Sequence, residues 1–386
     1  MAYNRKQRLN DNIKAIETAF ILDREQRTPT ARERLLLERY CGFGGLKCIL
    51  NPARELADAV HWAKSDLELF APTVELHRLI RENSKNESEY KQLMDSLKQS
   101  VLTAFYTPSA VTEALTDVLK EHQIIPEKVL EPSAGIGAFV DSVLDNNPKA
   151  DIMAFEKDLL TGKILRHLHP EQKVRIEGFE KIEKPFNDYF DLAISNIPFG
   201  DVAVFDPSYT AMKGMRALVT RRIHNYFFVK ALDTVRDGGL VAFITSQGVL
   251  NAKNNSAARF MMLYHADLVS AIRLPNNLFT ENANTEVGSD LIILQKNSQK
   301  ESLRGDDNLL DTVYNDENRI PTNNYFQEHP ERIIHTTAKL DTDPFGKPAM
   351  IYTHEGGVEG IAEDLRKMLH EDFKKNLNLN RYLGIE

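Results

Sequence analysis

Between residues 128 and 296, short apolar runs alternate with stretches of helical spacing. That alternation, more than any other feature of the 386-residue chain, restricts it to an α/β sheet architecture. Strands are expected near 128–131, 151–155, 174–177, 190–195, 239–245, 268–273 and 290–295. Helices should fill most of the gaps, among them 225–235 and 256–264, but none is evident between the last two strands. Residues 1–100 read differently, as helices with polar interruptions, with helical spacing over 5–20, 31–40 and 88–102. Within this region, residues 41–47 (Cys-Gly-Phe-Gly-Gly-Leu-Lys) are too rich in glycine for the inside of an element and read as a close-contact turn. Beyond about residue 300 the alternation fades until a helical pattern over 358–373. The expected organisation is a helical region over 1–100, a sheet domain over 101–297 and an acidic extension over 298–386. No internal repeat is visible.

The chemistry-bearing residues fall at the ends of the expected strands. Residues 191–200 read Asp-Leu-Ala-Ile-Ser-Asn-Ile-Pro-Phe-Gly. This is an apolar strand whose tip presents an amide (Asn196), a backbone carbonyl (Ile197), a stiff residue (Pro198) and a flat ring (Phe199). Pro198 biases Ile197 toward extended geometry. Such a tip can accept both hydrogens of a planar NH2 group and stack on its plane, although a strand end before a proline turn has the same composition. Residues 128–140 read Lys-Val-Leu-Glu-Pro-Ser-Ala-Gly-Ile-Gly-Ala-Phe-Val. After Glu131, the turn Pro132, Ser133, Ala134, Gly135 and Gly137 lets backbone approach a ligand closely. Val140 stands where a dinucleotide turn would carry its third glycine, which disfavours that class. Glu156, at the next strand end, is placed to grip ribose hydroxyls. It serves equally well as a surface acid. Upstream, residues 103–110 read Thr-Ala-Phe-Tyr-Thr-Pro-Ser-Ala. Thr107 as N-cap and Pro108 as first helical residue predict a helix running to about residue 122.

Charge and cysteine usage narrow the class further. The net charge of −8 argues against a protein that coats nucleic acid, but not against a local basic cleft. Residues 301–386 hold 17 acidic and 10 basic residues and so carry most of the excess. Residues 207–224 are the opposite: Lys213, Arg216, Arg221 and Arg222 precede His224, with no acid. Directly after the Asn196 tip, such a loop could hold phosphates or be merely solvated. Two cysteines, Cys41 and Cys48, without a second pair or a histidine cluster, predict free thiols in a reducing cytoplasm and no metal site. No apolar run has the length of a membrane span, and the N-terminus has no signal-type segment.

Taken in order, 103–110, 128–140, 151–158 and 191–200 resemble motifs X, I, II and IV of the adenine-N6 DNA methyltransferases of gamma order. The resemblance covers about residues 102–297, with 271–296 similar to the motif VIII region. It implies a Rossmann-like sheet of seven strands with an antiparallel last strand, preceded by a helical N-terminal region. It implies S-adenosyl-L-methionine as cofactor, held by Phe105, Tyr106 and Thr107, by Glu131, Pro132, Ser133, Ala134, Gly135 and Gly137, and by Glu156. Motif III is identified on Phe179, with Gly178 where the family has an acid and Glu180 or Glu177 as its substitute. Asn196, Ile197, Pro198 and Phe199 would then be catalytic on a flipped adenine, Ile197 replacing the family's usual proline. Lys213, Arg216, Arg221 and Arg222 would touch DNA. The segment from Leu37 and the Ile-Pro-Phe variant look closest to a subgroup from phages and conjugative mobile elements, often fused to Snf2-type helicases and tied to restriction-modification. This chain has no helicase pattern, so a helicase domain or a separate recognition subunit is the implied partner. Two other readings remain open: the same chemistry on RNA or a protein amide, and a silent cofactor-binding module of a larger DNA machine.

Overall fold

Seven strands pair into one sheet: β1 (Lys128–Glu131), β2 (Asp151–Phe155), β3 (Lys173–Arg175), β4 (Phe190–Asn196), β5 (Val235–Ser246), β6 (Ala266–Leu274) and β7 (Ser289–Lys296). The computed structural model describes residues 4–103, 106–212, 214–280, 286–303, 307–314, 319–343 and 346–385. The strand order is β3-β2-β1-β4-β5-β7-β6. β1 to β5 run parallel, while β7 runs antiparallel to both β5 and β6. The expected antiparallel last strand is therefore present, inserted between the two before it. β4 and β5 are buried along nearly their whole length, as their continuous apolar runs require of strands covered on both faces. β5 starts at Val235, earlier than the apolar run suggests, because Val235 pairs with Phe190 before the register shifts.

The strand order reverses between β1 and β4. At that switch point the loops after the two strands diverge, and a crevice opens outside their carboxyl ends. Helices Ser109–Glu121 and Ala138–Asn146 cover one side of the sheet, and Ile223–Thr234 and Ser256–His265 pack with the other core cluster.

The flanking regions are tied to this sheet. The helix Leu159–Leu168 turns Leu165 to the sheet core and Leu160, Ile164 and Leu168 to a cluster built from the N-terminal helices. Asp23, on the first helix Arg5–Glu25, receives Lys163, Arg166 and His167. The glycine turn at 41–47 is a structural clasp. Gly42 and Gly45 adopt positive φ, the Asn12 amide donates to the Gly42 carbonyl at 2.7 Å, and the Phe43 N–H donates to Ser100 Oγ at 3.2 Å. A further helix, Phe70–Glu82, falls where the sequence showed no clear pattern. Beyond residue 298, the helix Gly357–Asn376 lays Ile361, Leu365, Leu369 and Phe373 into the sheet's own core, so the boundary drawn at 297/298 is not a break in packing.

Candidate active site

A cleft of about 980 Å³ lies over the carboxyl ends of β1, β2 and β4. That volume suits a nucleoside-sized ligand with room for a second planar group. Pro132, Ser133, Ala134 and Gly135, in the turn after β1, line it. Gly135 has φ +55, and a Cβ there would meet the Tyr106 ring at 2.8 Å, so backbone and ring share a space that no side chain can enter. Gly137 does not line the cleft. Its φ of +91 starts the helix Ala138–Asn146, and a Cβ would strike Leu165 at 2.7 Å, so its glycine serves helix packing.

Carboxylates gather at this end of the sheet. Glu131 ends β1 at 1 % exposure, and burial pushes its carboxyl well above the usual range. Neither oxygen has a hydrogen-bond partner of normal geometry, and the nearby Ser195 hydroxyl is committed to the Ser133 carbonyl at 3.3 Å. Glu156 follows β2 and lines the cleft. Its two oxygens accept the Gly135 N–H at 2.8 Å and the Asp158 N–H at 2.7 Å. Burial, reinforced by the charge of Asp158, lifts its pKa to about 7. Asp158 caps the helix Leu159–Leu168 through Oδ1, which also accepts from Ser96 at 2.8 Å, while its buried Oδ2 has no partner.

The segment before the sheet differs in one detail from expectation. Pro108, not Thr107, occupies the cap position of the helix Ser109–Glu121. With no cap bond to make, the Thr107 hydroxyl lies buried and without a partner, on a residue that lines the cleft. Tyr106 lines it too, its hydroxyl 3.5 Å from Thr161 Oγ1. Phe105 lies outside the described residues.

After β3, the geometry separates the two acids that could replace the one missing at Gly178. Arg175 holds Glu177 at 2.6 Å. Glu180 folds back over Gly178, into the space a side chain there would fill. Glu177, Gly178, Phe179 and Glu180 all line the cleft, so the two acids differ in partner and not in access, and Phe179 packs its ring on Phe227 at 5.3 Å.

At the tip of β4 the Ile197 N–H extends the pairing with β5 by donating to the Ile244 carbonyl at 3.0 Å. That fixes the strand end from which Asn196, Ile197, Pro198 and Phe199 face the cleft. The Phe199 ring meets the buried Phe279 ring edge-on, with centroids 6.4 Å apart. An edge contact on one side leaves the face of Phe199 as a stacking surface.

The basic loop does not behave as its composition suggests. Arg216 is turned onto Asp233, with Nη2 to Oδ1 at 2.9 Å, and lies over the Tyr209 ring. Arg222 pairs with Asp201 at 2.7 Å and donates to Asn255 at 2.6 Å. In both cases acids distant in sequence are close in space and pair with the charge. Arg221 is exposed, and Lys213 lies outside the described residues.

Sequence reasoning missed one wall of the cleft. The helix Glu87–Thr103 presents Gln92, Asp95, Ser96, Gln99 and Ser100 to it. The signal was a polar stripe at helical spacing opposite Leu93, Leu97 and Val101, which are buried in the N-terminal core.

The profile of the family described as N-6 DNA Methylase matches residues 88–364, well over half of the chain. The chain belongs to that family. It has 29% identity over 201 residues with "Defense against restriction protein B" of Escherichia phage P1, covering 50% of this chain and 8% of that protein. It has 25% identity over 173 residues with the "Type II methyltransferase M.XamI" of Xanthomonas campestris pv. amaranthicola, covering 42% of this chain and 33% of that one. The chain thus spans a third or less of the length of these relatives. Among solved structures, a modification subunit assigned to a type I restriction enzyme of Vibrio vulnificus YJ016 aligns with 75% of this chain and 67% of its own, at TM-score 0.43 and 15% identity. The ATP-dependent Type ISP enzyme LlaBIII bound to DNA aligns with 96% of this chain and 28% of its own, at TM-score 0.45 and 12% identity.

S-adenosylmethionine is the cofactor that this N-6 DNA methylase family and sheet imply. The residues present fit it. Glu131 is a buried carboxyl beneath the cleft-lining turn whose ionisation a neighbouring cation would favour, the missing Cβ at Gly135 leaves room beside Tyr106, and a buried acid at Glu156 in the cleft lining suits a ribose.

Proposed function

We propose that the chain transfers a methyl group from S-adenosylmethionine to the N6 amino group of an adenine in DNA. The observation that carries this reading is a juxtaposition. Asn196, the Ile197 carbonyl and the Phe199 ring stand at the end of β4, over the same cleft that Gly135 and Glu156 border. When bound, the cofactor supplies an activated methyl on a cationic sulfur. Glu131, ionised by the nearness of that cation, would balance its charge, Glu156 would accept from the ribose, and Phe179 and Glu180 would border the adenine. Tyr106 and Thr107 would hold the methionine end, where the unused Thr107 hydroxyl could take a polar group.

The target base must leave the duplex to reach this tip. Phe199, held by Phe279, stacks on it. The Asn196 side-chain oxygen and the Ile197 carbonyl accept the two N6 hydrogens, which raises electron density on the nitrogen and directs its lone pair into the cleft. The proton departs after the methyl arrives, so no side chain needs a general-base pKa. The chain's contribution is position rather than chemistry.

DNA is the partner in this reading, within a restriction-modification setting in the cytoplasm. Recognition of a particular sequence is assigned to another domain or subunit, because the long helix Gly357–Asn376 near the end of the chain is committed to the sheet core. The test is transfer of labelled methyl to unmethylated genomic DNA, bulk RNA and cell protein in parallel, with nucleoside analysis. N6-methyladenine from DNA is expected. Label in RNA or protein alone would overturn the choice of substrate, and no label with cofactor still bound would favour the silent module.

A further inference from the structure

The segment after the catalytic tip is basic by composition and apolar by exposure. Arg216 and Arg222 are taken up by Asp233 and Asp201. Large apolar side chains are left outside instead: Phe205 is 78% exposed and Val202 61%, with Met212, Met215 and Leu218 further along. Phe205 and Val202 both line the cleft, with Phe205 nine residues after Asn196.

Their backbone is fixed on both sides. The Val204 N–H donates to the Thr220 carbonyl at 2.8 Å. Asp201 is paired with Arg222. Asp206, 3% exposed, accepts from the Tyr226 hydroxyl at 2.7 Å, the Ser208 N–H at 2.8 Å and Lys230 at 3.2 Å. The segment therefore presents an aromatic ring to solvent from an ordered support. A ring held so incurs little ordering cost when something flat covers it.

The residues assigned to the cofactor do not include it. A ligand gripped by Gly135 and Glu156 lies on the floor of the cleft, where Phe179 and Phe227 are already packed on each other and buried. Side chains this exposed at the mouth need a broader occupant. Drawing a base out of a duplex leaves a gap in the stack and costs a few kcal/mol of unstacking and unpairing. Apolar side chains inserted between base steps are a known way of offsetting such a cost.

We propose that Phe205, flanked by Val202, is a positioning wedge that enters the base stack beside the extracted adenine and holds the gap open. The proposal rests on the reading of the chain as a DNA methylase. It assigns the stretch after the tip to contact with bases, where the sequence pointed to contact with phosphates.

The experiment compares wild type, Phe205→Ala and Phe205→Leu on two duplexes carrying the adenine that the transfer assay shows to be modified. One is fully paired, and the other has a mismatch opposite that adenine. Phe205→Ala is expected to lower kcat/KM on the paired duplex by about ten- to hundredfold. The loss should largely vanish on the mismatched duplex, where extraction is already easy. Phe205→Leu should recover much of the activity, and cofactor affinity by calorimetry should be unchanged in both variants. With 2-aminopurine at the target position, the fluorescence rise on binding should shrink in Phe205→Ala. Equal losses on both duplexes, no loss on either, or weakened cofactor binding would each overturn the wedge. Transfer by the wild type to the mismatched duplex would keep the methylase reading standing in those cases. Absence of transfer by the wild type to both duplexes would remove that reading and the wedge together.

Discussion

Glu156 shows how one buried side chain couples cofactor, pH and stability. Its pKa is lifted from 4.5 to about 7, so the folded chain holds this proton more tightly than the unfolded chain. Its contribution to stability is fully present below about pH 4.5 and is lost as pH rises through about 7. Wild type should therefore lose stability between those values, and Glu156→Gln should flatten that part of a denaturation profile. Cofactor binding should show the opposite slope, because the ionised form accepts from a ribose. The dissociation constant should rise as pH falls below 7, approaching about tenfold per pH unit, with the slope absent in Glu156→Gln. Gly135→Val should abolish cofactor binding in calorimetry, since φ is +55 and the added carbon meets Tyr106 at 2.8 Å. The gathering of Asn196, Glu156 and Gly135 at one cleft was legible from residue type and spacing: Asn196 ends a strand, Glu156 directly follows one, and Gly135 lies in the turn after another, where a sheet exposes its loops. Glu180 and Glu177 were alternatives, and both line the cleft; nothing in the sequence reveals that Arg175 pairs with Glu177. Gly137 was read as a ligand contact because a Gly-x-Gly turn looks the same whether its second glycine faces a ligand or, as here, Leu165.

At the scale of elements, local pattern carried the sheet but not the partners of exposed-looking segments. The strands announced themselves through continuous apolar runs, and the antiparallel β7 through the missing helix before it. The charges of 207–224 misled, because their acids come from elsewhere: Asp233 from the far end of the next helix and Asp201 from the preceding loop. Arg216→Ala should accordingly lower thermal stability by leaving Asp233 without its cation. It should leave the salt dependence of DNA binding unchanged, whereas a phosphate contact would reduce that slope by about one. The helix Gly357–Asn376 was legible as a helix, but its docking was not. The acidic composition of 301–386 describes its solvent side, while Leu365 and Leu369 are fully buried against the sheet. Leu365→Ala should cost about 2–5 kcal/mol in urea denaturation, the range for a buried leucine that leaves a cavity. A cost near zero would mean that the helix is not part of the fold.

For the molecule as a whole, the sheet supplies a rigid edge and the flanking regions close the cleft around it. The N-terminal region reaches the cleft through several contacts: Phe43 to Ser100, Ser96 to Asp158, and Tyr40 to Thr161. Of the region read from sequence as a separate helical block, the helix Glu87–Thr103 is therefore a wall of the cleft, backed by the others. A net charge of −8 leaves little long-range attraction for DNA, so affinity must come from local contacts at the mouth of the cleft and from whatever partner reads the sequence. The central claim is that the tip of β4 performs methyl transfer to an amino group in a cleft built for S-adenosylmethionine. It is tested most directly by measuring, on the same preparations of wild type and Asn196→Ala, labelled-methyl transfer to unmethylated DNA and cofactor binding by calorimetry. The account predicts N6-methyladenine from wild type, loss of most turnover in Asn196→Ala, and nearly equal cofactor affinity in the two. Full turnover by Asn196→Ala would contradict it.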